Sequence, residues 1–343
     1  MQLLSDVSLA ELTTMRLGGK AAFMVIIRSV DELDEACRYA REHGLPIFVL
    51  GGGSNTIARD EGFDGLILHI EIPGYELLSE TDQTVTIRVG AGENWDKTVA
   101  RTVESGLTGI EALSAIPGTT GAAPVQNIGA YGQEAADVIT EVAVYEIATG
   151  ARRVLTAEQC EFGYRSSIFR AQASNRYVIT SVTMCLARGN PTPPFYQAVA
   201  DYLAEHPADP VTPAIIRDAV TAIRRHKLPD PAITPNTGSF FKNAIISAER
   251  FAAIQTRFPD APSYPLSDGR VKVPTGWLIE QTGLRGQTLH GIHVHDRNAL
   301  VLINQSAQSY DDLAAARQTI VDAVRATFGI DIVQEPLEIP AAS

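Results

Sequence analysis

The chain has 343 residues, 45% hydrophobic and 20% charged, enough for more than one packed core, since a single core seldom grows past about 250 to 300 residues. Its formal charge of -12 excludes a broad nucleic-acid or anionic-membrane surface, which needs a field of opposite sign, but leaves room for a local cluster that holds a small anion. Cys37, Cys160 and Cys185 are odd in number, far apart and without CxxC spacing, so they read as reduced core thiols and exclude a disulfide framework or zinc site.

The amino terminus places Asp6 and Glu11 where a signal peptide would have a basic start and an apolar run, and no later stretch approaches about 20 apolar residues. A cytoplasmic protein is expected. From Ala21 the pattern predicts strand (AAFMVII), helix and strand (LPIFVL), with Ser29 as N-cap, Glu32 at the capping-box position and Gly44 past the helix end. This is a βαβ unit whose two strands are expected to pair in parallel. The loop after it, Gly51-Gly52-Gly53-Ser54-Asn55-Thr56, can bring several backbone N–H groups to an anion, or be a plain turn. It is neither a Rossmann fingerprint nor a Walker A loop, lacking the third glycine of one and the Gly-Lys-Ser/Thr of the other. Residues 84–90 alternate as a strand, and Trp95, Val99 and Val103 then fall at helical spacing.

Ile116 to Gly132 (IPGTTGAAPVQNIGAYG) is long, almost uncharged and glycine-punctuated. A surface loop normally carries charge, so this segment suits the lining of a flat, buried ligand such as an isoalloxazine ring. In Cys160–Phe169 one arginine, Arg165, lies among aromatic and small polar residues; it is either a rigidly held cation facing a carboxylate or enolate, or one half of a structural ion pair. Composition turns Pro- and Ala-rich between about 190 and 215, flanking Phe195, Tyr196 and Tyr202, which predicts a domain boundary. Arg224-Arg225-His226-Lys227 then concentrates positive charge that can neutralise a diphosphate or simply end a solvated helix. Gly238-Ser239 before Phe240 and Phe241 can fix a hydroxyl in a partly dry site, or be only a turn. His293, His295 and Asp296 share a strand without a third ligand spaced for metal, so no metal site is expected. The last third reads as strand ALVLIN, a helix from Ser309 to Gly329, and strand IDIVQ, followed by Glu335, an acid/base candidate or a surface acid.

In this order the motifs resemble the UDP-N-acetylenolpyruvoylglucosamine reductase family over nearly the whole chain, from TTMRLGG at Thr13 to Glu335. The resemblance implies an α+β fold: a two-lobed FAD-binding domain of the vanillyl-alcohol-oxidase/PCMH type over 1–190 (lobes about 1–70 and 71–190), a linker and aromatic loop over 191–215, and a C-terminal α/β UDP-sugar-binding domain over 216–343. It implies NADPH-dependent reduction of UDP-N-acetylenolpyruvoylglucosamine through non-covalent FAD, in a monomer that makes peptidoglycan precursor. An oxidase of a small alcohol or sugar on the same fold, and a catalytically silent UDP-sugar sensor, are the rival expectations. Cofactor contacts are implied at Gly51, Gly52, Gly53, Ser54, Asn55, Pro117, Gly118, Gly121, Asn127, Gly129, Ala130 and Tyr131. The substrate-activating arginine falls on Arg165, the proton-donating serine on Ser239 and the catalytic glutamate on Glu335, with Glu338 a second carboxylate nearby. Lys227, Asn243 and Asn298 fall where the UDP sugar is held, and Tyr196 on the tyrosine loop of the family's longer type. One departure is plain: Ala244 stands where FKN is usually followed by proline.

Overall fold

In the computed structural model, which describes residues 1–170 and 176–340, the apolar run KAAFMVII forms the strand Lys20–Ile27. The helix Val30–Glu42 follows, opened by Ser29, whose Oγ accepts the Glu32 N–H at 3.1 Å. The Glu32 carboxylate accepts from the Arg28 N–H, one residue before the N-cap, at 2.6 Å. Leu33, Ala36, Cys37 and Ala40 face inward, and Gly44 turns the chain at φ 65° into the strand Ile47–Leu50. The two strands are parallel in direction but are not neighbours. Phe63–Ile70 lies between them and pairs in parallel with both. Its Leu66, Ile67 and Leu68 are fully buried, and a strand apolar on both faces belongs in the middle of a sheet.

The contacts divide the chain into two units, Met1–Val7, Ala21–Gly53 and Phe63–His226 in the first, and Ser8–Lys20, Ser54–Gly62 and Lys227–Ser343 in the second. Besides the sheet above, the first unit holds a larger antiparallel sheet in the order Arg152–Thr156, Ile139–Glu146, Tyr177–Arg188, Thr84–Gly90, Tyr75–Glu80. Helix Trp95–Glu104 carries Trp95, Val99 and Val103 on its buried face, as their spacing predicts. The Trp95 indole N–H, inside the core, donates to the Leu113 carbonyl at 3.0 Å, the partner that a buried tryptophan needs.

The segment expected as a linker contains the helix Gln197–Glu205. Val199 on that helix packs with Ile216, Ala219 and Val220 of the helix Pro213–Lys227 in a small cluster that also takes in Phe195 and Tyr202. Proline-rich composition hid an apolar stripe at 195, 199, 202 and 203, and that stripe is what folds the segment onto the first unit.

The second unit has a sheet in the order Asn236–Ser239, Val301–Asn304, Ile292–Val294, Thr288–Leu289, and a smaller one in the order Ala244–Ser247, Arg270–Val273, Tyr264–Pro265. The helix Tyr310–Phe328 opens on a full capping box between Ser309 and Asp312 and closes on Gly329 at φ 66°; a cap of this kind is worth about 1 kcal/mol. The expected strand IDIVQ is reduced to an isolated bridge from Gln334 to Phe241. The terminal strand is Leu337–Ile339, parallel to Thr56–Ala58. Among the described residues no helix is long and apolar enough to cross a membrane.

Candidate active site and cofactor cradle

Three stretches of the first unit close on one another. The first is Gly51–Gly53, directly after the strand Ile47–Leu50. The second is the AGENW segment from Ala91, and the third is Pro117–Gly121. A Cβ on Gly51 would lie 2.8 Å from Thr119 Oγ1, one on Gly52 would lie 3.2 Å from Gly118 Cα, and one on Gly121 would lie 2.5 Å from Ala91 Cβ. Main-chain bonds tie the second and third stretches: Trp95 N–H to Gly118 O at 3.1 Å, Thr120 N–H to Glu93 O at 2.8 Å and Gly121 N–H to Ala91 O at 2.9 Å. A cavity of about 530 Å³ opens beside them, lined by Gly52, Glu93, Asn94, Gly118, Thr119 and His69. Burial holds the His69 imidazole below its ordinary value, which favours its uncharged form. Bare backbone around a cleft of this size suits a dinucleotide, whose phosphates need close N–H groups. Ser54 and Asn55, expected to act with these glycines, fall in the second unit, where Asn55 O accepts the Leu337 N–H at 3.0 Å.

A second group in the same unit gathers Asn127, Gly129, Ala130, Tyr131, Arg165 and Tyr196. Asn127 is buried and fully engaged. Its Nδ2 donates to Glu134 Oε2 at 2.8 Å and to Gly163 O at 3.3 Å, and its Oδ1 accepts the Ala136 N–H at 2.9 Å. Gly129–Ala130 pairs with Gln133–Glu134 in a tight hairpin. Arg165 sits in the turn between Gly163 and Ser166, which exchange both main-chain bonds. Its guanidinium donates to Gly129 O at 2.6 Å and to Asn127 O at 3.4 Å, and lies 5.4 Å from the centre of the Tyr164 ring. Tyr131 meets Tyr196 edge-on at 5.7 Å, and Tyr196 is 43% exposed. Burial raises the Tyr131 hydroxyl above its ordinary value, keeping it a neutral donor.

The support for this group comes from residues outside its motifs. Asp96 takes both nitrogens of Arg217, at 2.6 and 3.0 Å, and the Ala115 N–H at 2.6 Å. Burial pushes the Asp96 carboxyl up, but Arg217 and the Ala115 N–H together hold it below the ordinary value. Arg224 Nε donates to the carbonyl of the same Ala115 at 3.2 Å. Asp96 and Arg217 are 121 residues apart, and nothing local in the sequence announces such a pair.

In the second unit, Ser239, Asn243, Asn298 and Glu335 come together around one run of backbone. Ser239 is half-buried and lies opposite Val301; Phe240 N–H donates to Leu300 O at 2.7 Å, and Glu335 N–H donates to Phe240 O at 2.9 Å. Phe240 and Phe241, both within the core, anchor the run. Asn243 Oδ1 accepts the Thr275 N–H at 3.1 Å, and Asn298 Oδ1 accepts the Leu300 N–H at 3.1 Å. The departure at Ala244 has a counterpart in space: its N–H donates to Thr275 Oγ1 at 3.1 Å, a bond that proline cannot make. Lys227 is exposed at the end of its helix, and two residues further on the Pro229 carbonyl accepts from Asn236 Nδ2 at 3.3 Å. Glu335 is 8% exposed. Glu338 is bound on every side, by Arg59 at 2.6 Å, Arg317 at 2.7 Å and the Tyr310 hydroxyl at 2.8 Å.

Two family models match, "FAD binding domain" over residues 21–156 and "UDP-N-acetylenolpyruvoylglucosamine reductase, C-terminal domain" over 230–339. The UDP-N-acetylenolpyruvoylglucosamine reductase of Burkholderia cenocepacia is 42% identical over 98% of this chain and 97% of its own length. The chain belongs to the UDP-N-acetylenolpyruvoylglucosamine reductase family. The Burkholderia vietnamiensis reductase is 41% identical over the same shares. A crystal structure of the Thermus caldophilus member of this reductase family aligns with a TM-score of 0.67 and 22% identity, covering 98% of each chain. The fold is therefore that of the reductase family, an FAD-binding domain of the vanillyl-alcohol-oxidase/PCMH type with a C-terminal domain of its own.

Proposed function

We propose that this chain reduces UDP-N-acetylenolpyruvoylglucosamine to UDP-N-acetylmuramate with NADPH and non-covalently bound FAD, a step in peptidoglycan precursor synthesis. The observation that carries the proposal is the 42% identity to a reductase of that name along the full length of both chains. Neither the oxidase nor the silent sensor is favoured by a match of that extent. The first unit, which contains residues 21–156 apart from 54–62, takes the FAD-binding role, and the second, which contains 230–339, takes the UDP sugar. We take the chain to act as a cytoplasmic monomer; its acidic charge balance disfavours nucleic-acid and anionic-membrane partners.

The bare glycine backbone at Gly51–Gly53 and Pro117–Gly121 fits a flavin dinucleotide. FAD held there would supply hydride transfer from NADPH to the vinyl carbon of the enolpyruvyl group. The chain's own residues manage the charge and the proton. Negative charge grows on the enolpyruvyl carboxylate as its vinyl carbon gains hydride, so groups aimed at that charge lower the barrier. Arg165, pinned by two carbonyls, offers a planar fork already oriented. Glu335 is our choice over Glu338 for the catalytic carboxylate. Burial alone would raise the Glu338 carboxyl, but its bonds to Arg59, Tyr310, Arg317 and Gln334 keep it below the ordinary value and fully occupied. Ser239 gives its Oγ proton to the α-carbon and is restored from solvent or Lys227. Lys227, Asn243, Asn298 and Tyr196 hold the sugar nucleotide.

The test follows the two half-reactions anaerobically by flavin absorbance. In Ser239→Ala, bleaching by NADPH should stay near the wild-type rate, while recovery on adding the enolpyruvyl sugar slows about a hundredfold, the scale for one preorganised group. Equal loss in both phases would remove Ser239 from the proton step. In the wild-type protein, recovery with oxygen but not with the sugar would restore the oxidase reading.

A further inference from the structure

The strand that ends at Ser239 reaches it through an irregularity. Asn236 lies opposite Ile303 and Ser239 opposite Val301, so three steps on one strand span two on its neighbour. This is a one-residue bulge, with Gly238 left-handed at φ 69°. In an unbroken ladder Gly238 would face Val301, and the Ser239 side chain would point to the other face of the sheet. The bonds that fix the bulge come from the Asn236 side chain, which is 2% exposed. Its Oδ1 accepts the Gly238 N–H at 2.8 Å, and its Nδ2 donates to Thr234 O at 2.7 Å and to Pro229 O at 3.3 Å. An N–H on one side and two carbonyls on the other allow the amide a single orientation. The last bond reaches the segment 228–230 directly after Lys227.

We propose that Asn236 is a positioning residue for the proton step, its amide setting the face on which Ser239 presents its hydroxyl and tying the segment after Lys227 to it. This rests on the reading of Ser239 as proton donor. Alanine at 236 leaves one N–H and two carbonyls to find other partners and removes the amide that holds the bulge. Gly238→Ala attacks the same bulge by another route: a Cβ there meets no atom within 4 Å, so the substitution strains only the left-handed backbone.

The experiment measures both half-reactions of flavin-loaded Asn236→Ala, Gly238→Ala, Ser239→Ala and the Asn236→Ala/Ser239→Ala double variant. Reoxidation by the enolpyruvyl sugar should slow about tenfold or more in Asn236→Ala and several-fold in Gly238→Ala, with reduction by NADPH within about twofold of wild type, the pattern of misplacing one reacting group. The double variant should be no slower than Ser239→Ala alone, because a positioning residue acts through the group it positions. Multiplying penalties in the double variant, or wild-type reoxidation in Asn236→Ala, would overturn the inference. Should Asn236→Ala not fold, Gly238→Ala decides by the same criterion. If Ser239→Ala itself spares reoxidation, the proton-donor reading fails and this inference falls with it. A selective Ser239→Ala beside an unaffected Asn236→Ala sinks the positioning role alone.

Discussion

Four residues near the first unit's candidate site, Ala115, Asn127, Tyr131 and Arg165, hold a left-handed backbone without being glycine, at φ 58°, 46°, 49° and 50°. Such conformations persist where surrounding bonds over-determine them, and for three of the four those bonds are visible: Asp96 on Ala115, Glu134 and Gly163 on Asn127, the Gly163–Ser166 turn around Arg165. Glu338 shows a buried group serving stability instead. Its carboxyl lies below the ordinary 4.5 in the folded state, so the stability it contributes is fully present above about pH 4.5 and is lost as pH falls through the lower folded value. Glu338→Gln should destabilise the protein by about 3 kcal/mol at pH 7, because Arg59 and Arg317 lose their shared partner. Urea unfolding of both proteins from pH 7 downward checks this: the gap should be constant near neutrality and narrow below pH 4.5. A gap that widens on acidification would contradict the assignment.

At the scale of elements, the cradle depends on two segments touching without side chains between them. Gly121 is not in a left-handed conformation, so its requirement is one of space, a Cβ falling 2.5 Å from Ala91 Cβ and 3.0 Å from the Ala91 backbone. Gly121→Ala should therefore push 117–122 off the AGENW segment, cost about 1–3 kcal/mol as overpacking, and weaken FAD binding more than tenfold. Titration of apo-protein with FAD, beside its melting curve, separates the two effects; an unchanged FAD affinity at lowered stability would leave this contact with a packing role only. Elements with chemical punctuation were legible in the sequence, the helices after Ser29 and Ser309 foremost, because a cap is a local interaction. The placement of Phe63–Ile70 between two strands, the helix Gln197–Glu205 and the bulge at Gly238 were not, since each is decided by what packs against it. Even so, Asn two residues before Gly238 is the signature of an Asx turn, and it was available in the sequence.

At the scale of the whole chain, composition divided the sequence at 191–215, whereas contacts divide it after Val7, Lys20, Gly53, Gly62 and His226, five crossings in all. The physical reason is that two short amino-terminal segments lack a core of their own and complete that of the second unit. Met15 and Ile57 are fully buried and Leu17 nearly so, in the cluster built around Phe240, Leu278, Leu302 and Ile320, and Thr56–Ala58 pairs with the terminal strand Leu337–Ile339. A fragment of residues 227–343 alone loses all of these. Each large buried side chain removed costs about 2–5 kcal/mol, so three of them and a strand partner together match the whole stability of an ordinary domain, about 5–15 kcal/mol. The fragment should therefore lack a cooperative unfolding transition and give a poorly dispersed amide spectrum, although it contains Ser239, Asn243, Asn298 and Glu335. A dispersed spectrum with a sharp transition would mean that the remaining core suffices, and that the amino-terminal segments only cover it.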